Sequence, residues 1–515
     1  LRHSGSALIR KSGTTTNTKE LAVAFADSTF LDFFGLNLLV GDSGTALTEP
    51  NTLVLTKTAA EKHFGVQNAL GQTMLLNNND TYTVTGVIED LPKNSLLREH
   101  AIFMAMAGYA GSRENHWGSM NYFTFVKLIP SVNSADFKEP LQSILERYML
   151  PWVQESMPGI TPETFAASGN YMRYHTMPLT DIHLHSINRQ AELSTNSSIQ
   201  NVYILSFIAL FLIVLASVNF MNLSTARSSK RAKEVGIRKS IGSQKGQLIY
   251  QFLSESFLVV LLAFFVSLLI ILVSLNGFND LSQKEITFPW TNGMFWIISI
   301  VFILFTTLLA GSYPALYLSS FKPVDVLKGT FKSGKYAGLP RKILVVLQFT
   351  VSVAFIIGTV IVMQQINHAK NRPVGYDKEG LIQIPTYSQD FAGKTDLMRT
   401  EFLNSGAIVE MSTSSSPTTQ IWSNRSGFTW DGKPEGFQED LAWTEVSAEY
   451  AKSLNLKIVE GRDFSRDFAS DSLGVLINES AKKYLGMANP IGMLLKDDSD
   501  ENPGPSLKII GVVQD

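Results

Sequence analysis

Four long apolar runs dominate the pattern of hydrophobic and polar positions along the chain. Four stretches contain no charged side chain: residues 202–220, 257–275, 294–317 and 343–366. Each provides roughly the 20 residues that a helix needs to cross about 30 Å of hydrocarbon. Buried helices of soluble proteins seldom continue past about 18 residues without a charge. The pattern therefore predicts four transmembrane helices, with bounds near 202–223, 250–275, 293–317 and 343–366.

The charges between these runs predict how the chain is oriented. The connection 224–247 sets one acid, Glu234, against a dense group of cations: Arg227, Lys230, Arg231, Lys233, Arg238, Lys239 and Lys245. The connection 318–342 has Asp325 against six cations: Lys322, Lys328, Lys332, Lys335, Arg341 and Lys342. Loops rich in Lys and Arg stay on the cytoplasmic side of a membrane. Both connections are thus predicted to be cytoplasmic, and the flanking regions to lie outside.

The two flanking regions repeat one another. "VLTKTAAEKHFGVQNALGQ", from Val54, aligns without a gap with "VLINESAKKYLGMANPIGM", from Val475, and this alignment matches Gly65 with Gly486. After four extra residues in the second copy, "VTGVIED" matches "IIGVVQD". A short helix, a turn and a strand fit both copies. An internal repeat of this kind indicates duplication of one α/β unit.

The predicted fold is a membrane protein with four transmembrane α-helices and two repeated α+β extracytoplasmic domains. The predicted divisions are a first outside domain, the membrane region and a second outside domain: residues 1–200, 201–366 and 367–515. The first domain is expected to be truncated at its N-terminus and the second at its C-terminus. Within the first domain, alternation predicts a strand at 122–130, and helical spacing predicts a helix at 134–153 with Ser134 as its N-cap.

The basic connection 224–247 has the spacing of an amphipathic helix. A helix would align five charged residues in one stripe: Arg227, Lys230, Arg231, Glu234 and Arg238. Glu234 stands four residues before Arg238, the favourable order for a surface pair worth roughly 0.3 kcal/mol. Gly236 and Gly242 are expected to interrupt the helix, and Gly242 suits a C-terminal cap. The residues alone leave three interpretations open: an anchor on anionic lipid, a calmodulin-like or phosphoinositide target, and a helix that docks on a cytoplasmic partner.

Composition excludes several other classes of function. A formal net charge of −2, with no basic face outside the membrane-flanking connections, argues against a nucleic-acid partner. The absence of cysteine excludes disulfides, thiolate metal sites and cysteine nucleophiles. The sequence has no GxxxxGK[ST] phosphate loop, so neither ATP hydrolysis nor a bound cofactor is expected of this chain. Because the apolar runs contain no ionisable residue, an ion-coupled carrier is disfavoured.

The histidines are the main candidates for metal ligands. His183 and His185 would share one face of a strand, with His175 a few residues upstream, and such a group could begin a zinc site. Nothing in the spacing fixes His175 or a carboxylate against the pair, so exposed or structurally satisfied histidines are favoured. The sequence therefore predicts no metal site and no catalytic residue.

Residues 219–257, "NFMNLSTARSSKRAKEVGIRKSIGSQKGQLIYQFLSESF", resemble the signature of the FtsX-like permeases that carry MacB-type periplasmic core domains. In that family, basic residues precede Glu-hydrophobic-Gly-Ile-Arg-Lys and a hydrophobic-Gly-Ser turn, and a Glu stands two residues before the next apolar run. The matching positions are Glu234, Val235, Gly236, Ile237, Arg238, Lys239, Ile241, Gly242, Ser243 and Glu255. The resemblance extends over essentially the whole chain.

This resemblance implies the permease subunit of an ABC transporter of a bacterial inner membrane, with large periplasmic domains. It implies that the chain is not an enzyme, and that ATP and Mg bind a separate cytoplasmic ATPase, whose hydrolysis drives export or release of substrate on the periplasmic side by mechanotransmission. The residues implied to couple the two chains are Arg227, Lys230, Arg231, Glu234, Gly236, Arg238, Lys239 and Gly242.

The other implied partners are membrane lipid, a second copy of the full-length chain in a homodimer, and a periplasmic adaptor. The substrate is not indicated. The alternative hypothesis is a membrane-anchored sensor or scaffold that regulates a periplasmic partner, in which the basic connection serves only as an anchor. Copurification with a soluble ATPase would distinguish the two hypotheses.

Overall fold

The chain folds into two compact units in a computed structural model. One unit comprises Leu1–Ser197 with Pro373–Asp515, and the other comprises Ser198–Arg372. The structure describes all residues except the following: 115–116, 118, 134–135, 157–160, 162–165, 168–170, 187–192, 227, 283, 321–338, 435–436, 438 and 498–503.

A seven-stranded sheet forms the centre of the first outside domain. Its strands are β1 (Arg2–Lys11), β2 (Thr18–Ala26), β3 (Leu38–Gly41), β4 (Thr52–Thr56), β5 (Thr73–Leu76), β6 (Asp80–Ile88) and β7 (Ile102–Ala105). Their order is β3-β6-β4-β7-β2-β1-β5, and β5 also pairs with β6. All residues of β4 and β7 are buried, as expected for central strands covered on both faces. Alternate side chains of β2 and β4 enter two different core clusters, so the sheet has a packed layer on each face.

Short helices connect and cover these strands. They are α1 (Phe30–Phe34), α2 (Lys57–His63), α3 (Lys138–Ile144), α4 (Leu150–Ser156) and α5 (Ile182–His185), with a π-helical turn at Leu145–Met149. The helix expected at 134–153 is therefore found as α3, the π-turn and α4, and the expected cap Ser134 lies outside the described residues. The side chain of Thr56 caps α2 by accepting a hydrogen bond from the N–H of Ala59.

Two local predictions for the first domain are wrong. Residues 122–130 form no strand, because Phe123 bonds only to the backbone of Leu1 and the alternation instead places Phe123 and Phe125 against the core. His183 and His185 lie in helix α5 rather than in a strand. The helix follows directly on a 3₁₀ turn, Leu179–Asp181.

The second outside domain repeats the plan of the first. Its strands are β8 (Ser423–Arg425), β9 (Phe428–Thr429), β10 (Leu441–Trp443), β11 (Ile458–Gly461), β12 (Gly474–Asn478), β13 (Leu494–Asp497) and β14 (Leu507–Val513). Strand β14 pairs antiparallel with β11 and β13 and parallel with β12, as β6 pairs antiparallel with β3 and β5 and parallel with β4. The predicted duplication is thus confirmed at the level of strand pairing.

Strand register corrects the ungapped alignment of the two copies by one residue. Leu53 pairs with Val84 as Val475 pairs with Ile509, so Val475 corresponds to Leu53 and not to Val54. From Gly65 and Gly486 onwards, the two copies align as the ungapped comparison predicts. The shift disappears there because helix α2 is one residue longer than its counterpart, Glu479–Tyr484. A helix can absorb an extra residue at its end, whereas a one-residue slip in a strand would reverse every side chain.

In each copy, an equivalent aspartate binds the start of the helix. Asp90 accepts hydrogen bonds from the N–H and hydroxyl of Thr58 at 2.9 and 2.7 Å. Asp515 accepts the equivalent bonds from Ser480 at 2.9 and 2.6 Å, and these bonds lower the pKa of its carboxyl below the ordinary range. The repeated "D" that ends "VTGVIED" and "IIGVVQD" therefore satisfies free N–H groups at the start of a helix.

The second unit consists of the membrane-spanning helices and the basic connection. Its helices are α6 (Ile199–Ala226), α7 (Ser228–Ser240), α8 (Lys245–Ser282), α9 (Gly293–Ser319) and α10 (Leu339–Asn371), and the second outside domain adds α11 (Thr395–Asn404), α12 (Tyr450–Ser453) and α13 (Glu479–Tyr484). Helices α6, α8, α9 and α10 contain the four segments long and apolar enough to cross a membrane. The four predicted spans are confirmed, each with a longer helix than its apolar run.

Candidate functional site

The basic connection folds into α7, and its C-terminal end has a defined cap. The helix continues through Gly236, which is buried, so the expected interruption there is wrong. Gly242 has φ +109°, and its N–H bonds to the carbonyl of Lys239 while the N–H of Ser243 bonds to that of Arg238. This pair of bonds is a Schellman motif. Gly242 thus ends α7 and turns the chain towards α8, as its sequence position indicates.

Two arginines fasten α7 to the start of α8. The Arg231 guanidinium lies 2.8 Å from the Glu255 carboxylate, and Arg238 donates a hydrogen bond to the side-chain carbonyl of Gln251. Gln251 in turn donates to Glu255 at 3.2 Å. Arg231 and Arg238 are two helical turns apart and therefore share a face, as Gln251 and Glu255 do one turn apart. The contacts fix α7 alongside α8.

Apolar packing holds the same face of α7 more strongly than these half-exposed charges. Val235 is 2% exposed and packs with residues from both neighbouring spans: Leu248, Phe252, Ala315 and Leu318. Full burial of a valine stabilises by about 1.5–3 kcal/mol, whereas an exposed ion pair contributes about 0–1 kcal/mol. The Lys239 ammonium also donates to the carbonyl of Ser319 at 2.6 Å, at the C-terminal end of α9. Helix α7 is therefore attached to α8 and α9 together.

The face of α7 next to the attached one is exposed and mixes charge with apolar side chains. Glu234 pairs with Arg238 at 2.7 Å, as their spacing predicts, and the Glu234 side chain is 54% exposed. Ile237 is 44% exposed and Ile241, just past the helix, is 81% exposed. Glu234, Ile237 and Ile241 follow a spacing of i, i+3 and i+7, so they lie on one face. Isoleucines presented in this way on a charged helix suit a groove on a second protein.

The two spans that receive α7 cross at a glycine. A Cβ atom placed on Gly311 of α9 would lie 2.8 Å from the Ser256 Oγ and 2.9 Å from the Ser256 Cβ of α8. Only a residue without a side chain permits this approach. Ala315 and Leu318, which contact Val235, follow Gly311 at i+4 and i+7. The close crossing and the attachment of α7 thus occupy one continuous face of α9.

The remaining predicted residues are only partly described. Arg227 lies outside the described residues, and Lys230 lies in α7 although its side chain is not described. Most of the second predicted cytoplasmic connection, 321–338, also lies outside them. In the described part of the chain, no three His, Asp or Glu side chains lie together in a way that could hold a metal ion.

Sequence reasoning missed the residues that receive α7. Gln251, Ser256, Gly311 and the carbonyl of Ser319 were not singled out. One signal was available, since Gln251 and Glu255 are polar residues spaced i and i+4 at the edge of an apolar run, where they must face a polar partner. The glycine crossing gives no such signal, because Gly311 is one of several glycines in the spans.

Two family models match the chain. Residues 206–323 match the FtsX-like permease C-terminal family, which covers the first three spans and α7. Residues 3–144 match the MacB-like periplasmic core domain, which covers the seven-stranded sheet. Together with the four spans, these matches make the chain a multi-pass membrane protein with periplasmic domains.

Among curated proteins, the macrolide export ATP-binding/permease protein MacB of Bdellovibrio bacteriovorus is 30% identical over 27% of this chain and 21% of its own length. The uncharacterized ABC transporter permease YknZ of Bacillus subtilis is 27% identical over 24% of this chain and 31% of its own length. A solved domain of a putative permease protein from Porphyromonas gingivalis is 24% identical over 28% of this chain and 67% of that one, with a TM-score of 0.25. The matches thus span less than a third of either curated relative.

Proposed function

This chain carries an FtsX-like permease segment and a MacB-like periplasmic core domain, and from that premise we propose that it is the permease subunit of an ABC transporter. Helix α7 is its coupling element, and a cytoplasmic ATPase on a separate chain binds ATP and Mg. Hydrolysis by that ATPase is relayed through the spans to the outside domains, which export or release a substrate in the periplasm. The membrane is the bacterial inner membrane.

The attachment of α7 is the observation that supports this proposal best. One face of the helix is fixed to α8 and α9 through Val235, Arg231 and Lys239. The other face presents Ile237 and Ile241. Because the helix is fixed to two spans at once, a partner that moves its exposed face also displaces the inner ends of both spans. Anchoring on lipid does not require attachment to two spans.

Further parts of the proposal rest on the resemblance to the family. The working assembly is a homodimer of the full-length chain with two ATPase chains, surrounded by lipid, and a periplasmic adaptor is an additional partner. None of these contacts requires a cofactor bound by this chain. The substrate class stays open, since the macrolide in the names of the relatives belongs to those proteins.

Copurification with the ATPase tests the proposed function. The full-length chain is expressed with cytoplasmic ABC ATPases of its host, and the captured protein is identified by mass spectrometry and by its own nucleotide hydrolysis. Ile241→Asp places a charge on the exposed face without touching the contacts of Val235, so we expect at least a tenfold loss of the captured ATPase.

A matched control is available at the other end of α8. Leu281 is 87% exposed and lies outside the membrane in the predicted topology, so Leu281→Asp should leave ATPase capture unchanged. Equal capture by Ile241→Asp and the unsubstituted chain would contradict the proposal and favour the sensor or scaffold. Equal loss in both variants would indicate a general defect in membrane insertion.

A further inference from the structure

Helix α11 is the first helix after the last span, and its attachment to the second outside domain is unusual. None of its ten residues is buried, and Leu397 and Phe402 are 59% and 41% exposed. Most helices of this length stay in place through a buried apolar face. In α11, Met398 and Leu403 are only half-buried, so other contacts contribute to its attachment.

Charged side chains supply these contacts. Arg399 donates to the Glu410 carboxylate at 2.7 Å and lies 3.8 Å from that of Glu449. Asp396 lies 2.7 Å from the Arg466 guanidinium, which also binds Glu449. Three acids and three bases take part in all, and we call them the ionic clasp: Asp396, Glu410, Glu449, Arg399, Lys452 and Arg466.

The two central carboxylates of the ionic clasp are nearly buried. The Glu410 side chain is 6% exposed and the Glu449 side chain 9% exposed, and each is reached by a cation from α11 or from an element next to it. Arg399 in particular lowers the pKa of Glu410 to about 2. Ion pairs that exclude water are screened little by salt, and loss of one partner leaves a buried charge uncompensated. The ionic clasp is thus a firm attachment.

Two positions of the ionic clasp can be compared between the two outside domains. Helices α1 and α12 correspond, since Gly35 and Asn455 adopt a left-handed conformation within two residues of the helix end. This correspondence places Thr29 at the position of Glu449 and Asp32 at that of Lys452. Because the two copies share their sheet pairing, that pairing does not need the charges of Glu449 and Lys452.

The same short helix also receives the chain as it leaves the last span. The N–H of Asp377 bonds to the carbonyl of Leu454, directly after α12, at 2.9 Å. The carbonyl that follows α12 therefore binds residue 377, and Glu449 at the start of α12 lies near Arg399 of α11. Both attachments involve residues between 377 and 404, in the segment that follows α10 along the chain.

We propose that the ionic clasp is the joint through which movement of the last span is passed to the second outside domain. The proposal rests on the proposed function, since it requires nucleotide-driven movement of the spans. If α11 is released, the domain loses the ionic contacts of this segment and keeps the backbone bond from Asp377 to Leu454. Span movement then acts on the domain through that weaker attachment, so the domain is displaced less.

The test follows a nucleotide-dependent distance in the full-length chain bound to its ATPase. The chain has no cysteine, so two cysteines can be introduced into one chain and spin-labelled. One replaces Asn367 near the end of α10, and the other replaces Lys496 on β13. Their separation is measured with and without ATP and vanadate. Arg399→Gln removes the contacts with Glu410 and Glu449, and we expect it to reduce the nucleotide-dependent change by more than half. Arg399→Lys, which keeps a positive donor, should restore most of it.

Arg462→Gln is the matched control. Arg462 forms an ion pair with Asp471 at 2.6 Å in the same domain but has no contact with α11 among the described interactions. Hydrogen exchange should become at least tenfold faster in Thr395–Asn404 of Arg399→Gln while β14 stays protected, which shows that the domain remains folded.

The outcomes separate the two proposals. An unchanged nucleotide response in Arg399→Gln, or an equal reduction in Arg462→Gln, would overturn the ionic clasp as the joint and leave the proposed function standing. No nucleotide response in the unsubstituted chain would overturn the proposed function, and the inference with it. A reduced response in Arg399→Gln alone, restored by Arg399→Lys, is the result that we expect.

Discussion

The crossing of α8 and α9 yields a prediction whose magnitude follows from the structure. In Gly311→Ala, the new methyl group would lie 2.8 Å from Ser256 Oγ and 2.9 Å from Ser256 Cβ. Overpacking of this kind costs about 1–3 kcal/mol, although alanine gains up to about 1 kcal/mol over glycine within a helix. The expected net effect is a loss of about 0–2 kcal/mol in the free energy of unfolding.

Gly358→Ala is the matched control for this substitution. Gly358 lies within α10, and in the described part of the chain no atom stands within 4 Å of a Cβ placed there. The variant should therefore gain up to about 1 kcal/mol, which makes it about 1–3 kcal/mol more stable than Gly311→Ala. Equilibrium unfolding of the full chain in detergent and lipid micelles measures this difference.

A second substitution tests the cause of the difference. Ser256→Gly removes the two nearest atoms and leaves Leu253 Cδ2 at 3.2 Å, so Gly311→Ala should cost less in that background, by about 1 kcal/mol. The reasoning would be refuted if Gly311→Ala and Gly358→Ala were equally stable. It would also be refuted if the effect of Gly311→Ala were the same with and without Ser256.

Three further predictions concern pH, a helix end and the repeated carboxylate. Burial, then repulsion from His3, lowers the pKa of His100 to about 4, so the unfolded chain binds a proton that the folded domain does not. Stability should then fall by about 3 kcal/mol from pH 6.5 to 4, and hydrogen exchange in β7 should lose this dependence in His100→Gln. Gly242→Ala forces alanine into a left-handed conformation at a cost of about 1 kcal/mol, which should appear as faster exchange at 238–243 while β14 is unaffected. Asp90→Ala removes two hydrogen bonds to Thr58 and should destabilise the first domain by about 1–3 kcal/mol in thermal unfolding; no change would contradict its role as a cap.

Features that depend on local pattern could be predicted from the sequence. The four spans follow from uninterrupted apolar runs, because no other structure accommodates them. The Glu234–Arg238 pair and the cap at Gly242 follow from helical spacing and from the conformational freedom of glycine. The duplication was also visible, and its error of one residue arose because an ungapped alignment cannot show which helix absorbs an extra residue.

Features that depend on long-range contacts could not be predicted. Arg231 meets Glu255 across a chain reversal, and Asp396 meets Arg466, which lies 70 positions further along the chain. A charge in a sequence does not indicate its partner. The interruption expected at Gly236 fails for a similar reason, because packing of the adjacent Val235 outweighs a propensity difference of about 1 kcal/mol. The alternation at 122–130 is produced by core packing and not by strand pairing.

Site-specific photo-crosslinking from α7 in intact cells tests the central claim most directly. A photoreactive amino acid is placed at the exposed Ile241 in one full-length chain and at the buried Val235 in another. We expect crosslinks from position 241 to a cytoplasmic protein that carries a phosphate loop and hydrolyses ATP, and none from position 235. Crosslinks from position 241 only to lipid, or to a periplasmic protein, would contradict the account.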